Sequence, residues 1–173
     1  AENKTAGGWG GLHICGYAPT NAGSGFSEIG NAAYGGNDAN DNSGVLKYIR
    51  LEYTGFALDD EHESNGISFY GVGAGTQVSY VQTYVGADDG LEFFGGTVNV
   101  TNLLAVNPDD DMFDFTQGYS GKLKNCYGVW ESGYTSTEAD PRGIEADGNL
   151  DGIYPDHLRQ SDFVVENMTI VNN

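Results

Sequence analysis

Apolar and small residues recur at the same positions in five segments of this chain. The segments read LKYIRLEY, VSYVQTYV, VTNLLAVN, LKNCYGVW and VENMTIVN, and they begin at Leu46, Val78, Val100, Leu123 and Val165. In each segment the first, fourth and sixth residues are apolar or small, and successive segments begin 32, 22, 23 and 42 residues apart. A repeat near 22 residues, with insertions in two of its turns, predicts a solenoid of stacked coils.

A second set of shorter segments lies between the first, and its side chains alternate between apolar and polar. These segments are GISF, GLEF, MFDF and GIEA, beginning at Gly66, Gly90, Met112 and Gly143. Alternation places the apolar residues of a strand on one face and the polar residues on the other. The polar face would carry Ser68, Glu92, Asp114 and Glu145. Short strands joined by Gly-rich and Asp-rich turns predict an all-β fold, a parallel β-helix of about 22 residues per coil. We expect one β-helix domain over residues 1–173.

Asparagine occupies the third position of three of the long segments, at Asn102, Asn125 and Asn167. Stacked side-chain amides can bond to one another along a solenoid, so these residues predict a structural ladder. The two cysteines, Cys15 and Cys126, are too few for a disulfide scaffold. Their pairing stays open, although Cys126 falls at a predicted core position.

The net charge of the chain limits the kinds of partner that it can bind. With 25 acidic and 7 basic residues the formal net charge is −18. Such a surface repels nucleic acid and anionic membranes, so cations are the expected partners and nucleic acid is not. The sequence contains no run of 18 apolar residues, so we predict no membrane span.

The acidic residues gather where the short strands begin. Aligning ADDGLEFF with PDDDMFDF sets three pairs of carboxylates on neighbouring coils, about 4.8 Å apart, where like charges repel. Calcium takes six to eight oxygen ligands and would link such carboxylates. The alternative is a row of turn residues that water screens. The predicted ligands are Asp88, Asp89, Glu92, Asp109, Asp110, Asp111, Asp114 and Glu145.

A second calcium prediction concerns DGNLDG, which matches the first half of an EF-hand loop. Asp147, Asn149 and Asp151 would be side-chain ligands, and Ile153 would contribute its carbonyl oxygen. The twelfth position is a leucine, which excludes a complete EF-hand, although Asp156 could replace the missing acid. The alternative is a polar turn without a metal.

The motif order resembles a known group of proteins. WGGLHICGYAPTN, YGGNDANDNSGVLKYIRLEYTG, GLEFFGGTVN and DDDMFDFTQGYSGK are similar to the repeat region of large secreted or surface proteins of Bacteroidetes and related bacteria. The resemblance covers most of Trp9 to Asn149. It implies a right-handed parallel β-helix, an extracellular or cell-surface location and no agreed enzymatic activity.

Three functions compete at this point. The leading hypothesis is a non-enzymatic, calcium-stabilised structural or adhesive module that associates head to tail into filaments, since the sequence stops on a complete strand motif. The first alternative is a calcium-dependent polysaccharide lyase or hydrolase, although Arg142 is the only basic residue beside the acidic strip. The second is carbohydrate binding through exposed aromatic rings at Tyr80, Tyr84 and Trp130. Polysaccharide or other cell-surface components would then be the partners.

Overall fold

The computed structural model describes residues 4–59, 62–149 and 156–173, which form strands and connecting turns. No helix occurs within these ranges, and hence none that is long and apolar enough to cross a membrane. The predicted all-β class is confirmed. The strands are β1 (Leu12–Cys15), β2 (Gly25–Phe26), β3 (Ala33–Tyr34), β4 (Val45–Glu52), β5 (Ile67–Tyr70), β6 (Gln77–Tyr84), β7 (Leu91–Phe94), β8 (Asn99–Val106), β9 (Phe113–Thr116), β10 (Lys122–Trp130), β11 (Glu145–Ala146) and β12 (Val164–Asn172).

Ten of these strands form two parallel sheets. The long sheet has the order β12-β10-β8-β6-β4, and the short sheet has the order β1-β5-β7-β9-β11. The first residues of the five long segments are direct partners from Leu46 through Val78, Val100 and Leu123 to Val165. The chain therefore alternates between the sheets, and the predicted parallel β-helix is confirmed. Coil length varies, because these partners lie 32, 22, 23 and 42 residues apart in the sequence.

A corner in every long strand carries a left-handed backbone conformation. Tyr48, Tyr80, Asn102, Asn125 and Asn167 occupy this column, with φ between 56° and 59°. Asparagine tolerates this region better than most residues. Asn125 Nδ2 donates to Asn102 Oδ1 at 3.1 Å, and Asn167 Nδ2 donates to Asn125 Oδ1 at 2.8 Å. The predicted asparagine ladder is confirmed.

Stacked aromatic rings fill the interior beside the short sheet. Phe69, Phe93 and Phe115 are fully buried, and their ring centroids lie 5.0 Å and 5.3 Å apart. The spacing follows from the distance between strands, which brings equivalent side chains of successive coils into contact. Cys126 is buried as predicted, and the thiols of Cys15 and Cys126 are both free.

A short antiparallel hairpin interrupts the β-helix after β1. Strands β2 and β3 pair Gly25 with Tyr34 and Phe26 with Ala33. The buried Ser27 closes the turn, since its Oγ donates to Ile29 O and accepts from the backbone N–H of Ala32, both at 2.9 Å. The sequence does not predict this hairpin, because each strand is only two residues long and gives no periodic signal.

Candidate cation-binding site

The outward face of the short sheet carries a column of polar side chains. The register pairs Ser68 with Glu92, Glu92 with Asp114, and Asp114 with Glu145. This confirms the predicted alternation, in which the phenylalanines of the same strands point inward. The β2–β3 hairpin and residues near Leu58 stand beside this face and enclose a cleft of about 980 Å³.

Carboxylates dominate the lining of this cleft, which we call the acidic cleft. Six of them are residues that the sequence predicts as metal ligands. The other two, Glu28 and Glu63, come from insertions between coils, where strand periodicity gives no indication of their position. Among the residues that the structure describes, eight carboxylates line the acidic cleft: Glu28, Glu63, Asp88, Asp89, Glu92, Asp110, Asp114 and Glu145.

Two overlapping groups of three carboxylates converge within the acidic cleft. One consists of Asp88, Asp89 and Asp110, and the other of Asp89, Glu92 and Asp114. In each group one oxygen per residue lies within 4.8 Å of the others. Calcium–oxygen distances of 2.3–2.6 Å allow two ligands of one ion to be at most about 5 Å apart. Either group therefore has the dimensions of a calcium coordination shell, and Asp89 belongs to both.

Burial separates these carboxylates from ordinary turn residues. Asp89 is only 7% exposed, and its Oδ1 accepts a hydrogen bond from the backbone N–H of Asp111 at 2.9 Å. Oδ1 of Asp110 and Oδ1 of Asp114 are shielded from solvent and receive no hydrogen bond from the residues described. Such acceptors cost about 1–3 kcal/mol each when left unpaired. Water therefore screens the inner carboxylates of the cleft less than it screens turn residues on an open surface.

Burial also changes the protonation of the cleft. Together with the neighbouring carboxylates, it raises the pKa of Asp88, Asp89 and Glu92 well above the ordinary range. Burial is likewise the largest cause that raises the pKa of Asp110 and of Asp114 to about 6. Without a cation, the cleft holds protons that a bound divalent ion would displace.

Positive charge is scarce around the acidic cleft. Arg142 lies at its margin, where Nη1 is 2.9 Å from Glu145 Oε1 and 3.8 Å from Asp111 Oδ2. No lysine or arginine of the described chain lines the cleft itself, and the imidazole of His62 is the one basic side chain there. Asn65 Nδ2 donates to Glu92 Oε2 at 2.6 Å, which orients that carboxylate without neutralising it.

Two predicted ligands of the strip lie outside the cleft. Asp109 Oδ1 instead accepts from the Tyr134 hydroxyl at 3.1 Å and from the backbone N–H of Thr137 at 2.9 Å. Asp111 is fully buried, and its Oδ1 accepts from the backbone N–H of Arg142. Burial raises the pKa of Asp111 to about 8. Both residues accept hydrogen bonds from the segment that leads to the following coil. Alignment of the repeats by strand register could not distinguish them from residues that line the cleft.

The DGNLDG turn is described only in part. Asp151 and Ile153 lie outside the described residues. Asp147 donates its backbone N–H to Phe115 O at 2.8 Å, and the buried Asn149 donates Nδ2 to Gln160 at 3.2 Å. Asp156 is exposed. Calcium at this turn stays a prediction.

The aromatic candidates differ in accessibility. Trp130 is only 8% exposed and its Nε1 donates to Pro108 O at 3.0 Å, so the expectation of an exposed ring there was wrong. The last position of β10 turns inward, where the large indole completes the core. Tyr80 stacks on Tyr48 with ring centroids 4.8 Å apart, and Tyr84 lies under the guanidinium of Arg50 at 4.8 Å. Stacking of a ligand on Tyr80 or Tyr84 stays a prediction.

Comparison with known proteins identifies the family to which this chain belongs. No curated protein and no solved structure matches the chain. A scan against protein families matches the whole chain, residues 1–173, to the family described as a pectate-lyase-like β-helix domain. The parallel sheets, the inward aromatic ladder and the outward polar column agree with that match. The chain belongs to the pectate-lyase-like β-helix domain family.

Proposed function

We propose that the acidic cleft binds calcium and that the domain uses this ion to bind saccharide polymers. The observation that carries the proposal is the pair of overlapping carboxylate groups, each with the dimensions of a calcium shell. The family supports the saccharide part, since its description refers to a polysaccharide-acting β-helix. Fold alone does not determine function, so both parts need direct tests.

Binding is a better fit than catalysis. A lyase acting on an acidic sugar needs a basic residue to take a proton, and the described lining of the cleft contains no lysine or arginine. A glycoside hydrolase places its two carboxyl groups about 5–9.5 Å apart to flank the scissile bond. Each group here brings three carboxylates together, one more than such a hydrolase uses, and a shared cation would account for the third.

Calorimetric titration with calcium chloride tests the ion site. The wild type should bind calcium, and the double variant Glu92→Gln/Asp114→Asn should lose the heat of binding, since it removes two carboxylates of one group. The matched control is Glu166→Gln, which removes an exposed carboxylate on the long sheet. Wild-type protein that gives no calcium signal at millimolar concentration would contradict the proposal. Addition of magnesium tests selectivity, because its smaller octahedral shell suits this spacing less well.

A second proposed function is head-to-tail association of β-helices. Strands β4 and β12 are the outer strands of the long sheet, and they carry the same inward columns of apolar residues. Leu46 and Ile49 would follow Val165 and Met168 if a second copy stacked on the first. Ile170, a core position in this pattern, is 38% exposed. Such an interface does not close on itself and would give filaments.

Sedimentation velocity tests this association. Ile170→Lys should reduce the sedimentation coefficient of any assembly to that of a single chain, because it places a charge in the interface. Thr169→Lys is the control, since Thr169 is an exposed neighbour on the opposite face of the strand. Assemblies that survive the Ile170 change would exclude this interface.

A further inference from the structure

A second cavity adjoins the acidic cleft, and two residues of the β2–β3 hairpin form the wall between them. Phe26 and Glu28 line both cavities. The second cavity has a volume of about 440 Å³, and we call it the aromatic cavity. Its lining consists of Ala22, Gly25, Phe26, Glu28, Tyr34, Tyr70, Gln117 and His157. A ligand that occupies both cavities must pass the ring of Phe26.

Phe26 is unusual because its large apolar side chain is exposed in the wall between the two cavities. Its side chain is 64% exposed, while the aromatic rings of Tyr34 and Tyr70 beside it are buried. The turn bonds of Ser27 fix the hairpin directly after Phe26. An exposed aromatic ring in a cavity wall is a platform for a ligand ring, because its face is free to stack.

The hairpin is anchored to the sheet at a conformational cost. The Tyr34 hydroxyl donates to Gln117 Oε1 at 3.0 Å, and the Tyr70 hydroxyl donates to Glu28 Oε2 at 3.2 Å. Gln117 has a φ of 51°, in a column where the two preceding coils have Gly71 and Gly95. A non-glycine residue is strained in this left-handed conformation. Gln117 therefore occupies a position whose backbone conformation favours glycine. Its side-chain amide holds the hairpin in place through the bond to Tyr34.

Charge decides which saccharide fits the two cavities. Their described lining has eight carboxylates and the imidazoles of His62 and His157, with no lysine or arginine. A uronate carboxylate would be repelled by every ionised carboxylate that lines the cleft. A single calcium ion offsets two negative charges, and Glu28, Glu63 and Glu145 line the cleft outside the two groups that would hold the ion. A polymer of acidic sugars is therefore disfavoured, whereas a neutral sugar meets no such penalty.

We propose that the ligand is a neutral polysaccharide, one ring of which stacks on Phe26 at the mouth of the aromatic cavity. Hydroxyl groups of the adjoining sugar then reach the cation of the acidic cleft, since calcium accepts neutral oxygen ligands. Glu28 and Gln117 add polar side chains to the lining of the aromatic cavity. This inference rests on the proposed calcium site and adds the substrate class to it.

Affinity electrophoresis in gels with calcium tests the inference. The neutral probes are soluble β-glucan, mannan and xylan, and the acidic probes are polygalacturonate and alginate. Wild-type protein should be retarded by at least one neutral polymer and by neither acidic polymer. Phe26→Ala should weaken that retardation at least tenfold, and Phe26→Tyr, which keeps the ring, should retain it. The control is Tyr48→Ala, which removes an exposed ring from the long sheet.

Calcium titration of the same variants separates the two proposals. Phe26→Ala should bind calcium as the wild type does, because Phe26 provides no ligand oxygen. Retardation by acidic polymers alone, or equal retardation of wild type and Phe26→Ala, would overturn the inference. Calcium binding without retardation by any probe would also overturn it and would leave the ion site standing. Absence of calcium binding would overturn the proposed function itself.

Discussion

Two ladders of polar side chains run along this β-helix, and they differ in how their hydrogen-bonding groups find partners. On the long sheet, Asn102, Asn125 and Asn167 bond to one another at 3.1 Å and 2.8 Å. On the short sheet, Glu92 and Asp114 are direct partners in the same parallel arrangement. An amide has both donors and an acceptor, so stacked amides complete one another. An ionised carboxylate only accepts, so stacked carboxylates require protons or a cation.

This difference indicates which ladder serves structure and which serves a ligand. The asparagine ladder is exposed and would tolerate water, yet it is complete without it. The carboxylate ladder stands in a cleft where burial raises the pKa of Glu92 and of Asp114. Amides in the buried column would satisfy one another as they do on the long sheet, whereas the carboxylates present there need the proton or the cation that we propose.

The largest expected effect is stabilisation by calcium. A ligand at a hundred times its dissociation constant stabilises the folded state by about 2.7 kcal/mol. Thermal unfolding at pH 8 should therefore shift upward when calcium replaces a chelator. Glu92→Gln/Asp114→Asn should unfold at a higher temperature than the wild type in chelator and should not respond to calcium. A calcium shift of equal size in both proteins would show that the ion binds elsewhere.

The pH dependence of the metal-free protein is the next largest effect. The raised pKa values mean that the folded state holds protons that the unfolded chain has released, so stability is full below about pH 4. It should fall as pH rises through 6, where Asp110 and Asp114 titrate, towards 8, where Asp111 titrates. We expect a loss of about 2 kcal/mol after allowance for solvent screening.

Urea unfolding in chelator at pH 5 and pH 8 measures this loss. The double amide variant should lose less stability than the wild type over the same interval, because two of the titrating groups are gone. A wild type that becomes more stable as pH rises would contradict the burial of these carboxylates.

A smaller effect is expected when a carboxylate is introduced into the asparagine ladder. Asn125→Asp places a carboxylate within the amide ladder, where it loses the hydrogen bond to Asn102 and faces that residue's oxygen. The expected cost at pH 7 is about 1 kcal/mol by urea unfolding, recovered near pH 3. Asn99→Asp makes the same charge change at an exposed position outside the ladder. Equal costs for both variants would mean that the ladder contributes nothing beyond net charge.

The sequence predicts the ladders because they follow from strand register. Once LKNCYGVW and VTNLLAVN are aligned, Asn125 must lie beside Asn102, and GLEF over MFDF sets Glu92 beside Asp114 in the same way. Period-two alternation then assigns phenylalanine to the interior and carboxylate to the exterior. These inferences are reliable because a shift of one residue would exchange the two faces.

The positions of the insertions between coils cannot be predicted from strand register or alternation. The β2–β3 hairpin, Glu28 and Glu63 reach the cleft through contacts between residues that are distant in sequence and belong to no repeat. Burial of Trp130, by contrast, follows from strand alternation, since Cys126, Gly128 and Trp130 occupy alternate positions and all three are buried. The distinction between Asp110, which lines the cleft, and Asp109, which bonds the following loop, depends on backbone direction within one turn.

The smallest expected effect concerns the exposed tyrosines of the long sheet. Tyr80 and Tyr48 stack with an interplanar angle of 12°, and such pairs contribute about 0.5–1.5 kcal/mol. Because both rings are exposed, Tyr80→Ala should lower stability by about 0.5 kcal/mol, the lower end of that range, measured by urea unfolding. Retardation by neutral polysaccharide should remain unchanged, because the two rings are occupied with each other and lie on the sheet opposite the acidic cleft. Weakened retardation in Tyr80→Ala, with Phe26→Ala unaffected, would move the saccharide site to the long sheet.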